Sequence, residues 1–226
     1  MKPEGDPGMK HQFLKLALGL SLSFAVALPA AGDAVHDAIE CEQFLVMSAG
    51  YVPRGSDAET QVKEMTSAWS THAKLLTGEA ETLTEDRAQI SQALFQVMSS
   101  GDAAQQQALK TSLQRCTTRP DFETATYPDL TCARLAHYVE KASEDTIVQQ
   151  EAKAAGFESA GEADKAAIAQ GYVDAARRRR GPASAIKHAF FNAQPNTRVE
   201  PHHFGLFGDE SEPVLAACTA SMGLDE

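Results

Sequence analysis

Several signatures of well-known chemistry are missing from this chain of 226 residues. It contains no P-loop, no dinucleotide-binding glycine fingerprint, no His-Glu-x-x-His zinc motif and no calcium loop. The Cys-x-x-Cys spacing of thioredoxin-like redox sites and of covalent haem attachment is also absent. These absences predict no cofactor and favour a role other than catalysis, with an enzyme of unfamiliar type as an open alternative.

Two further absences concern structure. No stretch shows sustained alternation of apolar and polar residues, so no β-strand is predicted. The one long apolar run, Leu16 to Leu28, is shorter than the roughly 20 residues that a membrane-spanning helix requires. The rest of the chain is therefore expected not to cross a membrane.

Positive charge is also scarce. The chain has 20 lysines and arginines against 31 acidic residues, and its net charge is −11. Such a chain repels phosphate backbones and anionic lipid headgroups, so neither nucleic acid nor a membrane surface is a predicted partner. Cationic partners, metal ions or simple solubility remain as explanations of the acidity.

The N-terminal region has the layout of a cleavable secretory signal peptide. A short basic stretch that begins at Met9 precedes the apolar run, and Ala30-Ala31-Gly32 supplies the small residues that signal peptidase requires. We therefore predict a signal peptide over residues 1–32, with Met9 as an alternative start. No cysteine lies near the cleavage site, so a lipid anchor is not expected. The mature protein is predicted to be soluble and either periplasmic or secreted.

Residues 33–118 predict a bundle of four antiparallel helices joined by short turns. Apolar residues recur there every three or four positions, and turn or capping residues separate the segments. Capping boxes begin at Ser56 and Thr82, and Asp102 can cap the fourth helix. Gly78 is placed to end the second helix.

The remaining residues predict a joint at 119–131 and a less regular helical half at 132–226. Within this half the spacing predicts separate helices over Glu162–Arg180 and Pro182–Asn192, because Gly-Pro at the boundary interrupts a helix. An irregular stretch follows from Ala193 to Asp209, before a short final helix. The predicted fold class is therefore all-α, with two packed helical halves.

Four cysteines in an exported protein predict two disulfides, because nothing outside the cytoplasm keeps thiols reduced. We favour Cys41 with Cys116 and Cys132 with Cys218, since each pair would join the first helix of a half to its last. The rival pairing joins Cys116 to Cys132 across the joint and leaves Cys41 with Cys218. The similar arrangement of cysteines in the two halves also suggests a duplication, as a hypothesis.

The histidines supply the only candidate metal ligands. His202 and His203 share an irregular stretch with Glu200 and Asp209, and His188 lies a short distance upstream. Neighbouring residues rarely bind the same ion, and a zinc site needs three or four ligands, so an exposed polar loop is the favoured interpretation. A metal site that uses His188, His202 and His203 remains the weaker alternative.

Arg177, Arg178, Arg179 and Arg180 form the one concentrated positive patch. Because a predicted helix ends there, we interpret the patch as stabilising the C-terminal end of the helix dipole. A contact with an anion or an acidic partner is the functional alternative.

Two further patterns are interpreted as structural. His72 falls in an apolar helical stripe with Trp69, which is typical of a core histidine with a hydrogen-bonded ring. Ser184-x-x-Lys187 matches the Ser-x-x-Lys of penicillin-recognising enzymes, but no Ser-Asp-Asn follows it.

The sequence thus predicts an exported, disulfide-stabilised helical protein of the cell envelope. We expect it to act by binding an unknown protein partner or as a structural component. A periplasmic metal- or small-ligand-binding protein that uses the His202-His203 loop is the alternative, and an enzyme of unrecognised type is a third.

Overall fold

The computed structural model describes residues 34–78 and 83–224, and over these ranges the protein is all-α with no strand. None of the helices in the described ranges is long and apolar enough to cross a membrane. The predicted signal peptide and the capping residue Thr82 lie outside them. The α-helices are α1 (Ala34–Ala49), α2 (Asp57–Thr77), α3 (Leu83–Ser99), α4 (Ala103–Ser112), α5 (Asp129–Ser159), α6 (Ala163–Ala193) and α7 (Glu212–Ser221).

Local capping explains where the first-half helices begin and end. The Ser56 hydroxyl accepts a hydrogen bond from the Glu59 amide at the start of α2, over 3.2 Å. The Asp102 carboxylate accepts bonds from two amides at the start of α4. Gly78 ends α2 in the left-handed conformation, with φ of 70°, which glycine adopts without steric cost. The N-cap roles of Ser56 and Asp102 and the C-cap role of Gly78 are confirmed. The Glu59 carboxylate of the predicted capping box accepts instead from the Gly55 amide.

Helix α1 packs against α2 and α3, and a short 3₁₀ segment after α4 (Leu113–Thr117) returns to α1. The hydrophobic cluster between these elements is built mainly from large aliphatic residues and Trp69. Its most deeply buried large aliphatic members are Ile39, Leu83, Leu94 and Leu113.

Helices α5 and α6, of 31 residues each, form a long antiparallel hairpin. At 1.5 Å per residue, each is about 46 Å long. The predicted break at Gly181-Pro182 is wrong, because α6 continues through Pro182 to Ala193.

Packing on both sides of Pro182 explains why the helix survives. A proline inside a helix costs about 3 kcal/mol through a lost hydrogen bond and a clash with the preceding turn. Val173 and Ala176 before the proline are fully buried, as are Ala183 and Ile186 after it. A helix that stopped at the proline would expose this second set, so burial offsets the local cost.

A second hydrophobic cluster joins α5, α6 and α7. Leu75 of α2, Tyr127 of the joint and Phe204 of the late loop also belong to it. The partly buried Leu76 packs against both this cluster and that of the first half. Residues Asp33–Glu226 accordingly form one compact unit. The division into a bundle at residues 33–118, a joint at 119–131 and a second half at 132–226 stays a prediction.

Candidate functional site

Both disulfides lie in the core. Cys41 of α1 is bonded to Cys116, and Cys132 of α5 is bonded to Cys218 of α7. All four residues are fully buried, and no free cysteine remains. These are the pairs that the sequence analysis favoured, and each joins the first helix of a half to its last helical segment.

The His202-His203 loop is held in place by a backbone hydrogen bond to α5 and by two buried side chains that follow it. The His202 amide donates a hydrogen bond to the carbonyl of Arg134 on α5, over 3.1 Å. Phe204 and Leu206 are 2% and 5% exposed and belong to the core cluster of the second half. The loop therefore has a fixed position although it contains no regular structure.

The backbone of this loop is strained at Phe204. Its φ of 53° is in the left-handed region, which is unusual for a bulky residue. Gly205 follows with φ of 90°, and a Cβ there would lie 3.1 Å from the Thr71 hydroxyl of α2. The Gly205 amide donates to Nδ1 of His203 over 2.9 Å. Burial of Phe204 and close packing of Gly205 hold the loop in this conformation.

Four rings form what we call the aromatic platform: Tyr138, His202, His203 and Phe207. The His203 ring centre lies 5.4 Å from that of Tyr138, 4.7 Å from that of Phe207 and 5.5 Å from that of His202. Phe207 is 56% exposed. The platform thus places an exposed phenyl ring beside rings that carry hydrogen-bonding groups.

The surroundings of His202 favour anions over cations. Burial lowers the pKa of His202, and the positive charges of His203, Arg134 and Lys74 lower it further. Repulsion from these groups would also disfavour a bound metal ion.

The described residues contain no group of three or more His, Cys, Asp or Glu side chains that could hold a metal ion. His188 lies instead near Glu140, and its charge helps to lower the pKa of that carboxyl. The structure therefore does not bring His202, His203 and a third ligand together, and the metal-binding alternative gains no support.

The arginine patch lies in the middle of α6 rather than at a helix end, so the predicted stabilisation of a helix C-terminus is wrong. Arg177, Arg178 and Arg180 are exposed, and Arg179 is partly buried. Ion pairs join Arg177 to Glu151, Arg180 to Glu144, and Arg179 to both Asp209 and Glu212.

Ser184 and Lys187 both contact Glu140 of α5, which is 9% exposed. Burial acts to raise the pKa of Glu140, but the hydrogen bonds from Lys187 and Ser184 and the nearby positive charges hold it below its usual value. The Lys187 side chain pairs with the Glu140 carboxylate, whereas a general base would have to contact the Ser184 hydroxyl. The Ser-x-x-Lys pattern is therefore part of an interhelical ion pair.

His72 is a core residue, as its sequence position predicted. It is 8% exposed, and the rings of Trp69, Phe122 and Tyr127 surround it edge-on. Its Nδ1 lies 3.3 Å from the Tyr127 hydroxyl. Burial lowers the pKa of His72 to about 4, against a smaller opposing effect of Asp121, so the ring is neutral at pH 7.

A groove that was not predicted from the sequence lies between α1 and α2. Its volume is about 450 Å³, and Gly205 of the late loop also lines it. The signal was present in the sequence, because hydroxyl residues recur on one face of α2 at the spacing of one helical turn. These residues are Thr66, Ser67, Ser70 and Thr71, with Lys63 and Lys74 on either side.

Comparison with known proteins identifies no family. The chain matches no protein-family model, and no curated protein sequence or solved structure is significantly similar to it.

Proposed function

We propose that this protein is exported and acts in the cell envelope, in the periplasm or as a secreted protein, by binding a protein partner. Two buried disulfides support export, because such bonds persist in oxidising compartments and are rare in the cytosol. The basic stretch from Met9 and the apolar run after it support the same route.

The aromatic platform is the observation that carries the binding role. Burial of Phe204 and Leu206 stabilises the loop, whereas the exposed ring of Phe207 contributes nothing to the core. Exposed aromatic residues next to hydrogen-bonding rings are typical of the residues that dominate protein interfaces. Arg134 and Lys74 lie near His202, so the partner surface should present an apolar side chain beside an acidic one.

Site-specific crosslinking in intact cells tests this proposal. A photo-reactive phenylalanine analogue at position 207 should form an adduct with one envelope protein, and the same analogue at exposed position 153 on α5 should not. With purified partner, Phe207→Ser should weaken binding at least about tenfold, as for a hot-spot residue, while Lys153→Ser should not. Equal binding by both variants would contradict the proposed surface.

Mass spectrometry of protein from the native host tests export separately. We expect a mature N-terminus near Gly32 and the mass deficit of two disulfides. An intact leader together with four free thiols would contradict the proposed location, whatever the crosslinking shows.

Small-ligand binding is a second candidate function. It is favoured by the groove between α1 and α2 rather than by a metal site, and its ligand class is argued below.

A further inference from the structure

The groove between α1 and α2 has two chemically different walls. Hydroxyl and ammonium groups of α2 form one wall, and Val46 and Ala49 of α1 contribute apolar surface to the other. The exposed lining is more apolar than polar, as in most small-molecule sites of this size, about 300–1,000 Å³. The hydroxyl and ammonium groups add hydrogen-bonding positions beside this apolar surface, which suits a ligand that has both kinds of surface.

Several groups in the groove have unused hydrogen-bonding capacity. Thr71 is only 6% exposed, yet its hydroxyl makes no hydrogen bond within the described residues. Ser67 is exposed, and its hydroxyl also makes no hydrogen bond within the described ranges. A hydroxyl in a nearly buried position without a protein partner is best satisfied by water or by a ligand. Ser70 follows Ser67 by one helical turn, and Lys74 follows Thr71 by one turn. All four residues therefore line the same wall of the groove.

The charges in the groove are not balanced. Glu42 is 7% exposed and accepts a hydrogen bond from Arg87 over 2.8 Å, and Lys63 pairs with Glu59. Lys74, by contrast, forms no salt bridge with any residue in the part of the chain that the structure describes. It therefore remains as an unneutralised positive charge at the end of the groove that Gly205 borders.

Nearby groups increase the positive charge at that end. Arg134 donates a hydrogen bond to the carbonyl of Gly78 over 2.8 Å, which fixes its guanidinium near the end of α2. The charges of Lys74 and Arg134 both lower the pKa of His202, so both side chains lie close enough to His202 to interact with it electrostatically. A local cluster of positive charge on a chain of net charge −11 is an attractive site for a small anion.

We propose that this groove binds a small anionic sugar. Its carboxylate or phosphate group would contact Lys74, and its hydroxyls would exchange hydrogen bonds with Ser67, Ser70 and Thr71. Carbon-bound hydrogens of the sugar ring would contact Val46 and Ala49. This ligand would pair with Lys74 and with the hydroxyls of Ser67 and Thr71, whereas an apolar molecule would leave them unpaired. The Ser70 hydroxyl, which already accepts a hydrogen bond from Arg87 over 3.3 Å, would act as a donor.

Calorimetric titration of the mature, disulfide-bonded protein tests the proposal. Glucuronate and glucose 6-phosphate serve as probes, with glucose as the neutral control and acetate as the control for charge alone. We expect saturable binding of at least one anionic sugar, at least about tenfold tighter than glucose or acetate, because it adds a charge-assisted hydrogen bond to the hydroxyl contacts. The two anionic probes distinguish a sugar acid from a sugar phosphate.

Matched variants locate the site. Lys74→Gln should reduce binding of the anionic sugar to the level of glucose, and Thr71→Val should weaken it about fivefold through the loss of one hydrogen bond at nearly constant volume. Lys110→Gln and Thr111→Val, on exposed positions of α4, should leave binding unchanged. Thermal melting of each variant verifies that it is folded.

Absence of saturable binding by both anionic sugars would overturn the proposal, as would unchanged binding by the folded Lys74→Gln variant. Phe207→Ser should not affect sugar binding, because Phe207 does not line the groove. Failure of sugar binding and failure of partner binding can therefore be distinguished.

Discussion

The two helical halves are closed in the same way but stabilised differently. Each has one buried disulfide between its first and last helical segments. The first half consists of helices of 10 to 21 residues, and side-chain caps begin α2 and α4. In the second half, α5 and α6 have no side-chain cap at their N-termini and are paired along 31 residues. Short helices are marginal alone and benefit most from caps, whereas long helices gain stability from packing along their length.

Removal of the disulfides should have the largest effect. The two bonds close loops of similar length, with sequence separations of 75 and 86. The chain-entropy model therefore predicts that Cys41→Ser/Cys116→Ser and Cys132→Ser/Cys218→Ser each reduce the free energy of unfolding by roughly 4 to 5 kcal/mol. Urea denaturation of the two double variants measures both losses. Costs that differ by more than about 2 kcal/mol would show that the two bonds are not equivalent.

A matched pair of core substitutions compares packing in the halves. Ile39 of α1 and Ile186 of α6 are 1% and 0% exposed. Each change to alanine should reduce the free energy of unfolding by about 3 kcal/mol, through lost burial and the cavity that remains.

Ile186→Ala should also have a local effect. The side chain lies one turn beyond Pro182, so its loss removes burial that offsets the cost of the proline. Hydrogen exchange of amides 183–193 should accelerate more than that of amides before the proline. Uniform acceleration along α6 would show that packing beyond Pro182 is not what extends the helix.

Acid should destabilise the first half through His72. The pKa of His72 is about 4 in the folded protein and near 6.5 when the chain is unfolded, so the unfolded state takes up the proton first as pH falls. The contribution of neutral His72 to the free energy of unfolding is complete above about pH 6.5. It is lost between about pH 6.5 and pH 4, by about 3 kcal/mol in total.

Urea titrations at several pH values measure this loss. His72→Phe should flatten the pH dependence in that interval, because no proton binds at this position. His188→Phe, on an exposed position of α6, serves as the control and should retain the wild-type dependence. If His72→Phe also retained it, His72 would not be the responsible group.

Capping substitutions should give the smallest effect. Asp102 accepts two backbone hydrogen bonds at the start of α4, so Asp102→Ala should cost about 1 kcal/mol. Glu162 occupies the corresponding position of α6 without such a bond, and Glu162→Ala should change stability by less than about 0.5 kcal/mol. Equal costs, measured by urea denaturation, would contradict the difference in capping between the halves.

Local signals account for the parts of the fold that the sequence predicted. Ser56, Gly78 and Asp102 act on amides or carbonyls within a few residues, so their roles follow from sequence spacing alone. The cysteine pairs followed from helix order. The aromatic platform could be predicted only in part from the sequence. The histidines were identified, but the neighbouring rings of Tyr138 and Phe207 were not.

The sequence by itself determined the all-α class, the first-half helix ends and the favoured cysteine pairs, because each depends on periodicity or on nearby residues. Only the tertiary structure decided that α6 continues through Pro182, that Phe204 adopts a left-handed conformation, and that the hydroxyls of α2 border a groove. These three features depend on contacts between segments distant in sequence. Burial against those segments offsets the local free-energy cost of a proline inside a helix and of a left-handed backbone at Phe204. Residue spacing alone does not reveal that burial.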